Sequence, residues 1–199
     1  MTEQDESPLT ANDELVVAAR TDRDAFGEIY EAYYDRILGF CLKRLFDRSI
    51  AEDVCGEVFL YVAKHMHAFR GTTEQDFRRW VYRIATTETN AIIRRNKRRQ
   101  ELWDDALLTN RISTQGSHND ETSTEQPDWT TVYQAIRQLN QRQKMVVTLR
   151  LFDELPYEDI AEILKIRQAT ARVAYSRAIE RLRQLLVSDS PELDETKVR

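Results

Sequence analysis

Apolar residues in this chain recur at steps of three and four along several segments, the period of an amphipathic α-helix. Asp13 is the expected cap of a short first helix carrying Leu15, Val16 and Ala19, and Thr21-x-x-Asp24 approximates a capping box that restarts the chain. Phe26, Ile29, Tyr30, Tyr33, Ile37, Cys41 and Leu45 then form one continuous stripe. After a turn at Asp47-Arg48-Ser49, a helix is expected from Ile50 to Phe69. Val54, Val58, Val62, Met66 and Phe69 share one of its faces, and Asp53, Glu57 and Lys64 lie opposite. Arg70-Gly71-Thr72-Thr73 breaks the pattern. A fourth helix starts near Gln75, packs Phe77, Trp80, Val81, Ile84, Ala91 and Ile92, and runs into the basic cluster from Arg94 to Arg99.

Between residues 104 and 128 the periodicity disappears, and Ser, Thr, Asn, Asp, Glu and Gln dominate. That composition predicts a flexible linker, with Leu107, Leu108 and Ile112 as candidates for transient docking. Fully extended, such a segment reaches roughly 80 Å, about two turns of B-DNA. Periodicity returns over Trp129 to Leu139. Asn140-x-x-Gln143 fits a capping box ahead of Met145, Val146, Leu149 and Leu151. Pro156 opens a helix over Tyr157 to Leu164, a tight turn follows at Lys165-Ile166, and a last helix covers Gln168 to Val187. The expected fold class is therefore all-α, with two helical domains joined by a flexible linker. Residues 12–103 form the first domain, 104–128 an acidic linker and 129–187 the second, with disordered tails at 1–11 and 188–199.

Composition agrees with a helical chain, because five Gly and four Pro in 199 residues are too few for a turn-dense β fold. No apolar run approaches the roughly 20 residues needed to cross a bilayer. The first residues, MTEQDESPLT, are polar and acidic rather than a secretory signal, so a cytoplasmic location without membrane insertion is expected. The net charge of −5 conceals a partition. Residues 15–100 carry 16 cations against 12 acids and residues 129–187 carry 10 against 6, so each domain is +4. The acid lies in the tails and the linker, which are −5 (1–14), −6 (101–128) and −2 (188–199). Two basic domains on a solvated tether suit DNA contact.

Catalytic chemistry is absent from the motifs: there is no Gly-rich phosphate loop, no nucleophile elbow and no HExxH. No catalytic residue, metal site or cofactor is expected. Cys41 and Cys55 have neither CxxC nor zinc-ribbon spacing and sit among apolar neighbours, so they read as reduced, partly buried thiols. His65 and His67 are two apart and face different sides of a helix.

The C-terminal pattern is that of a helix-turn-helix. Ile160, Ala161 and Leu164 form the inner face of its first helix, Ala161 permits close approach, Ile166 anchors the turn, and Val173 is expected to reach the same core. The last helix offers Arg167, Gln168, Thr170, Arg172, Ser176 and Arg177. Arg can bond guanine bidentately, Gln can pair with adenine, and Ser or Thr can hold phosphate. In the fourth helix Arg83, Thr87, Asn90, Arg94 and Lys97 line up at steps of three and four, a stripe able to track a strand backbone. Arg98 and Arg99 would add salt-dependent phosphate contacts. Trp80 is in phase with Phe77 and Ile84 and reads as core.

Two stretches resemble a known family. LPYEDIAEILKIRQATARVAYSRAIERL, from Leu155 to Leu182, is similar to region 4 of the sigma-70 family. AFGEIYEAYYDRILGF, AEDVCGEVFLYVAKHMHAF, FRG and FRRWVYRIA, in that order between Ala25 and about Arg99, resemble region 2. Together they are similar to the extracytoplasmic-function (ECF) type of sigma factor. The resemblance implies a subunit that binds core RNA polymerase, recognises the −10 and −35 promoter elements and helps melt the −10 region. It places Glu52, Asp53 and Glu57 against the β′ clamp helices, with the β flap as a second contact. Asp53 and Glu57 are one turn apart and can receive two basic side chains together. Ile50 and Gly56 stand where the family has an acid and a glutamine.

The resemblance also gives Arg70, Thr72 and Thr73 to the loop that takes a flipped base of the −10 non-template strand. That loop is about two residues longer here than the commonest family spacing. The same resemblance gives Arg83, Thr87, Asn90, Arg94, Lys97 and Arg98 to the −10 element. Gln168, Thr170, Arg172, Val173, Ser176 and Arg177 go to the −35 element, and Lys165 replaces the family's turn glycine. The partners it implies are core RNA polymerase, promoter DNA and an anti-sigma factor wedged between the domains. The alternative is a stand-alone helix-turn-helix regulator whose N-terminal bundle is a dimerisation or effector domain.

Overall fold

The computed structural model describes residues 10–109 and 129–188, and every regular element in them is helical. The N-terminal unit holds α1 (Ala11–Ala18), α2 (Arg23–Leu45), α3 (Arg48–His65), a 3₁₀ turn at Met66–Ala68 and α4 (Glu74–Thr109). The C-terminal unit holds α5 (Trp129–Gln138), α6 (Gln141–Val147), a π-helical turn at Thr148–Phe152, α7 (Tyr157–Leu164) and α8 (Gln168–Ser188).

Local chemistry sets the helix starts. The cap of α1 is Thr10 rather than Asp13, which instead sits at the third helical position and closes a reciprocal capping box with Thr10. Asp22, not the Thr21–Asp24 pair, caps α2 by accepting from the Asp24 N–H at 2.8 Å. Asp22 stands directly before the first helical residue, the position from which a side-chain oxygen reaches the orphan N–H of the second. Asp47 caps α3, and Asn140 with Gln143 forms the expected box on α6. Helix α4 runs on to Thr109, through a stretch rich in the helix formers Glu, Leu and Ala, so it passes residue 104. Leu107 and Leu108 fall on that extension, whereas Ile112 and most of the 104–128 segment lie outside the described residues, as do most of the two tails.

In the N-terminal unit, α2 packs along α3 and α4, while α1 crosses α2 and the start of α4. Phe40, Ile37, Val58, Val62, Phe77 and Val81 are fully buried between them. Trp80 stacks on Phe69 with centroids 4.7 Å apart and meets Phe77 edge-on, so it belongs to this packing. The C-terminal unit wraps α5, α6 and α7 around α8, with Leu149, Leu155 and Ile160 completely buried. Each such side chain contributes roughly 1.5–3 kcal/mol on burial. The two units are not separate in space. One apolar core runs from Val16 through Phe40 and Tyr82 to Met145, Leu149 and Ile160, and α4 lies directly against α7.

Candidate nucleic-acid interface

The residues singled out in the sequence lie on four surfaces. On α3, Glu52, Asp53 and Glu57 are all exposed, and Glu52 pairs with Arg48 one turn back at 2.8 Å. The same side of the helix exposes Leu60 and Tyr61, 47% and 44% accessible, and neighbouring α2 adds Tyr30. Tyr30 is anchored edge-on to Phe59 at 4.9 Å. Leu60 and Tyr61 sit outside the Val54–Val58–Val62 core phase, and Tyr30, expected in the α2 stripe, is 38% exposed. That phase difference is the sequence signal for an apolar margin beside the acids.

The loop before α4 is tightly held. A Cβ at Gly71 would overlap the Phe69 ring and the Asp76 side chain, so only glycine fits. The Gly71 carbonyl accepts a hydrogen bond from Arg20 Nη2. Asp76 accepts from the Thr72 and Thr73 N–H groups at 3.2 and 3.3 Å, and the Asp76 N–H donates to Thr73 Oγ1 at 3.1 Å. Thr73 is thus a helix cap as well as a candidate contact, while Arg70 and Thr72 stay exposed. From α1, Asp13 accepts the Glu74 N–H at 2.7 Å, and the hydrogen bond from the Thr10 N–H, with that from Glu74, keeps its carboxyl below its ordinary pKa. Tyr33 donates to Glu74 at 3.0 Å.

Along α4 the predicted stripe divides. Thr87, Arg94, Lys97 and Arg98 are exposed. Arg83 and Asn90 are half-buried and face the C-terminal unit, Arg83 donating to the Glu162 carbonyl at 3.4 Å. Asn90 accepts from Arg44 Nη2 at 3.1 Å, and the same nitrogen reaches Gln141 at 3.3 Å. Arg44 itself is buried, and burial lowers its pKa to about 10.

In the C-terminal unit, α7 ends with Lys165 in the left-handed conformation, φ 53° and ψ 48°. The Ile166 N–H returns to the Ala161 carbonyl at 2.9 Å and the Lys165 N–H to Glu162 at 3.3 Å, closing a Schellman-type turn. Helix α8 then projects Gln168, Arg172, Val173, Ser176 and Arg177 into solvent, with Thr170 half-buried. Val173 is 48% exposed, so it does not reach the core as expected. Ala171 and Ala174 face inward instead, because their small side chains let α8 lie close to α7.

The feature with no sequence precedent is the seam between the units. Asp159 on α7 is completely buried. Its Oδ1 accepts from Arg79 Nε at 2.6 Å and Gln75 Nε2 at 2.9 Å, and its Oδ2 from Arg78 Nη2 at 2.8 Å. Arg79 also pairs with Glu162 at 3.1 Å and Glu158 at 3.7 Å. Burial alone would lower the Arg79 pKa, but its bond to Asp159 and the three acids together raise it. Nearby, Tyr82 donates to Asp153 at 3.1 Å, and Lys43 lies over the Phe152 ring. Nothing in the periodicity marks Gln75, Arg78, Arg79 or Asp159 as partners.

Comparison with known proteins decides the family. Residues 29–101 match Sigma-70 region 2, and residues 130–182 match Sigma-70, region 4. The RNA polymerase sigma-H factor of Pseudomonas aeruginosa is 31% identical over 84% of this chain and 89% of its own length. The ECF RNA polymerase sigma factor SigW of Bacillus subtilis is 30% identical over 83% and 90%. The chain belongs to the ECF sigma factors of the sigma-70 family.

Among solved structures, CnrH in complex with the cytosolic domain of CnrY superposes with a TM-score of 0.67 at 18% identity, covering 91% of this chain and all of that one. RpoE of Bartonella quintana, in complex with the anti-sigma factor NepR, gives 0.65 at 20% over 83% and 98%. At these identities the likeness is one of fold. As an ECF sigma factor the chain directs promoter-specific transcription initiation with RNA polymerase. The stand-alone regulator is not favoured, since the supposed dimerisation bundle is region 2 itself. Among the described residues no helix is long and apolar enough to cross a membrane.

Proposed function

We propose that this sigma factor divides its work among these surfaces. Glu52, Asp53 and Glu57, with the apolar margin of Leu60 and Tyr61, dock on the β′ clamp helices. Region 4 adds a contact to the β flap. The loop carrying Arg70, Thr72 and Thr73 accepts a −10 base. Arg83, Thr87, Asn90, Arg94, Lys97 and Arg98 follow the −10 strand and duplex, and Gln168, Thr170, Arg172, Val173, Ser176 and Arg177 meet the −35 element. The observation that carries this reading is the segregation of charge. Glu52, Asp53 and Glu57 stand exposed on α3, while Arg94, Lys97 and Arg98 stand exposed on α4 and Arg172 and Arg177 on α8. An acidic face repels DNA and suits a basic protein partner, while the basic faces suit phosphate.

The chain acts in the cytoplasm and supplies no catalysis, the polymerisation chemistry belonging to the polymerase. Its third partner is an anti-sigma factor, a reading supported by the fold shared with RpoE, solved with the anti-sigma factor NepR. Transcription in vitro tests the reading. Core polymerase supplied with the purified chain should initiate at a discrete set of promoters in a genomic library, and core alone at none of them. Identical transcripts with and without the chain would reject it.

A further inference from the structure

The seam between the units has the chemistry of an occupied anion site. Two guanidinium groups and one amide, all from the first turns of α4, converge on both oxygens of a single carboxylate. Their distances, 2.6 to 2.9 Å, are those of charge-assisted bonds. The carboxylate comes from the other unit, 80 residues away in sequence from Arg79. It is fully enclosed, whereas its neighbours on α7, Glu158 and Glu162, are 69% and 48% exposed at their side chains. One donor is left over, since the buried Nε of Arg78 has no partner among the described residues. A carboxylate therefore does not use everything the site offers.

We propose that Gln75, Arg78 and Arg79 form a phosphate site for the promoter's single strand, and that Asp159 fills it in the free chain as a competitor. Two non-bridging oxygens of a phosphodiester can replace the two oxygens of Asp159, and a further ester oxygen is within the repertoire of the spare Arg78 donor. The location fits a strand. The three residues follow directly on the loop of Arg70, Thr72 and Thr73, and precede Arg83 and Thr87 on the same helix. The competition is geometric. While Asp159 is seated, α7 covers this part of α4 and draws in Arg83 through the Glu162 carbonyl. Meanwhile the acids of α3 and the outer face of α8 remain exposed. The closed chain can thus meet polymerase and the −35 element, and it must release Asp159 before a melted strand binds. The identity of the ligand rests on the sigma-factor reading, and the occlusion rests on the contacts themselves.

The test uses the full chain and a short fluorescein-labelled single-stranded DNA of mixed sequence, with binding read by anisotropy. When a competent state is a minor fraction, apparent affinity falls by that fraction. Asp159→Asn should therefore bind about tenfold tighter than wild type. Glu158→Gln removes one exposed acid from the same helix, and it should stay within about twofold, separating release of the site from a general charge effect. Adding Arg78→Gln and Arg79→Gln to Asp159→Asn should abolish the gain and lower the salt slope by about 0.7 per cation removed. Circular dichroism confirms that each variant is folded, and X-ray scattering should show Asp159→Asn to be more extended. Unchanged affinity in Asp159→Asn, or a gain that survives loss of both arginines, overturns the proposal. Core polymerase binding is measured in parallel. If it is intact while the affinity gain is absent, this inference alone fails. If wild type does not bind core, the sigma-factor reading fails and the assigned ligand with it.

Discussion

Lys165→Gly is expected to stabilise the protein. Lys165 ends α7 in the left-handed region, at φ 53° and ψ 48°, where its Cβ crowds the following carbonyl. An L-residue held there costs roughly 1–2 kcal/mol, and glycine avoids that cost. Glycine loses more chain entropy on folding, roughly 0.5–1 kcal/mol, so the net gain is about 0.5–1 kcal/mol. Lys165 is exposed, and the bonds that close the turn are made by backbone N–H groups, which the substitution keeps. Because one core joins the two units, the gain corresponds to a rise of roughly 1–4 °C in Tm. Thermal and urea denaturation measure it, with Lys165→Ala as a control that should move little because alanine has the same Cβ. Phe46 has a similar φ of 56°, but its ring packs into the second core cluster beneath Arg137, so Phe46→Gly should lose stability instead. A Lys165→Gly protein no more stable than wild type, or less so, would refute the argument that this turn is strained by its side chain.

Three further outcomes are expected. Burial raises the Asp153 pKa from 3.8 to about 6, against the opposing pull of Lys43, the Tyr82 hydrogen bond and Arg36. The folded-state value is the higher one, so the stabilisation it brings is complete below 3.8 and is lost as pH rises through about 6. Asp153→Asn should therefore be roughly 2–3 kcal/mol more stable than wild type at about pH 8, with the difference shrinking toward about pH 4. Urea midpoints that run parallel across that range would contradict this. Arg172→Ala should change the preferred −35 sequence, whereas Arg98→Ala should weaken all promoters evenly and reduce the salt dependence. Equal losses everywhere for both would mean the reading helix is misassigned. Burial pushes the thiols of Cys41 and Cys55 up to about 12 and about 11. Ellman's reagent should accordingly react with neither in the native protein and with both after denaturation, and fast native labelling would show a mobile α2–α3 core.

Much of the architecture was legible because burial leaves a period. The stripe of Ile29, Tyr33, Ile37 and Cys41 on α2, and that of Val54, Val58 and Val62 on α3, are buried as the spacing requires. The Asn140–Gln143 box was readable for the same local reason. Caps were less secure where several candidates stood together. Thr10 and Asp13 share one box, and the sequence does not say which end of it the helix starts from. Val173 was misplaced because Ala171 and Ala174, with their small side chains, already fill the inward face of α8. The seam was not legible at all. Arg78, Arg79 and Asp159 look like ordinary polar positions, since their burial depends on a helix more than 70 residues away. Arg44 falls in phase with Ile37, Phe40 and Cys41 on the buried face of α2, and its polar partners, Asn90 and Gln141, come from helices far along the chain.

Core binding tests the central claim most directly. Wild type and Asp53→Lys/Glu57→Lys are each mixed with bacterial core RNA polymerase and run on gel filtration. Both acids are exposed on α3, so the double variant should keep its fold, verified by circular dichroism. The account predicts a stoichiometric complex with wild type and none with the variant. A folded wild type that forms no complex, or a variant that binds core as well as wild type, would contradict it.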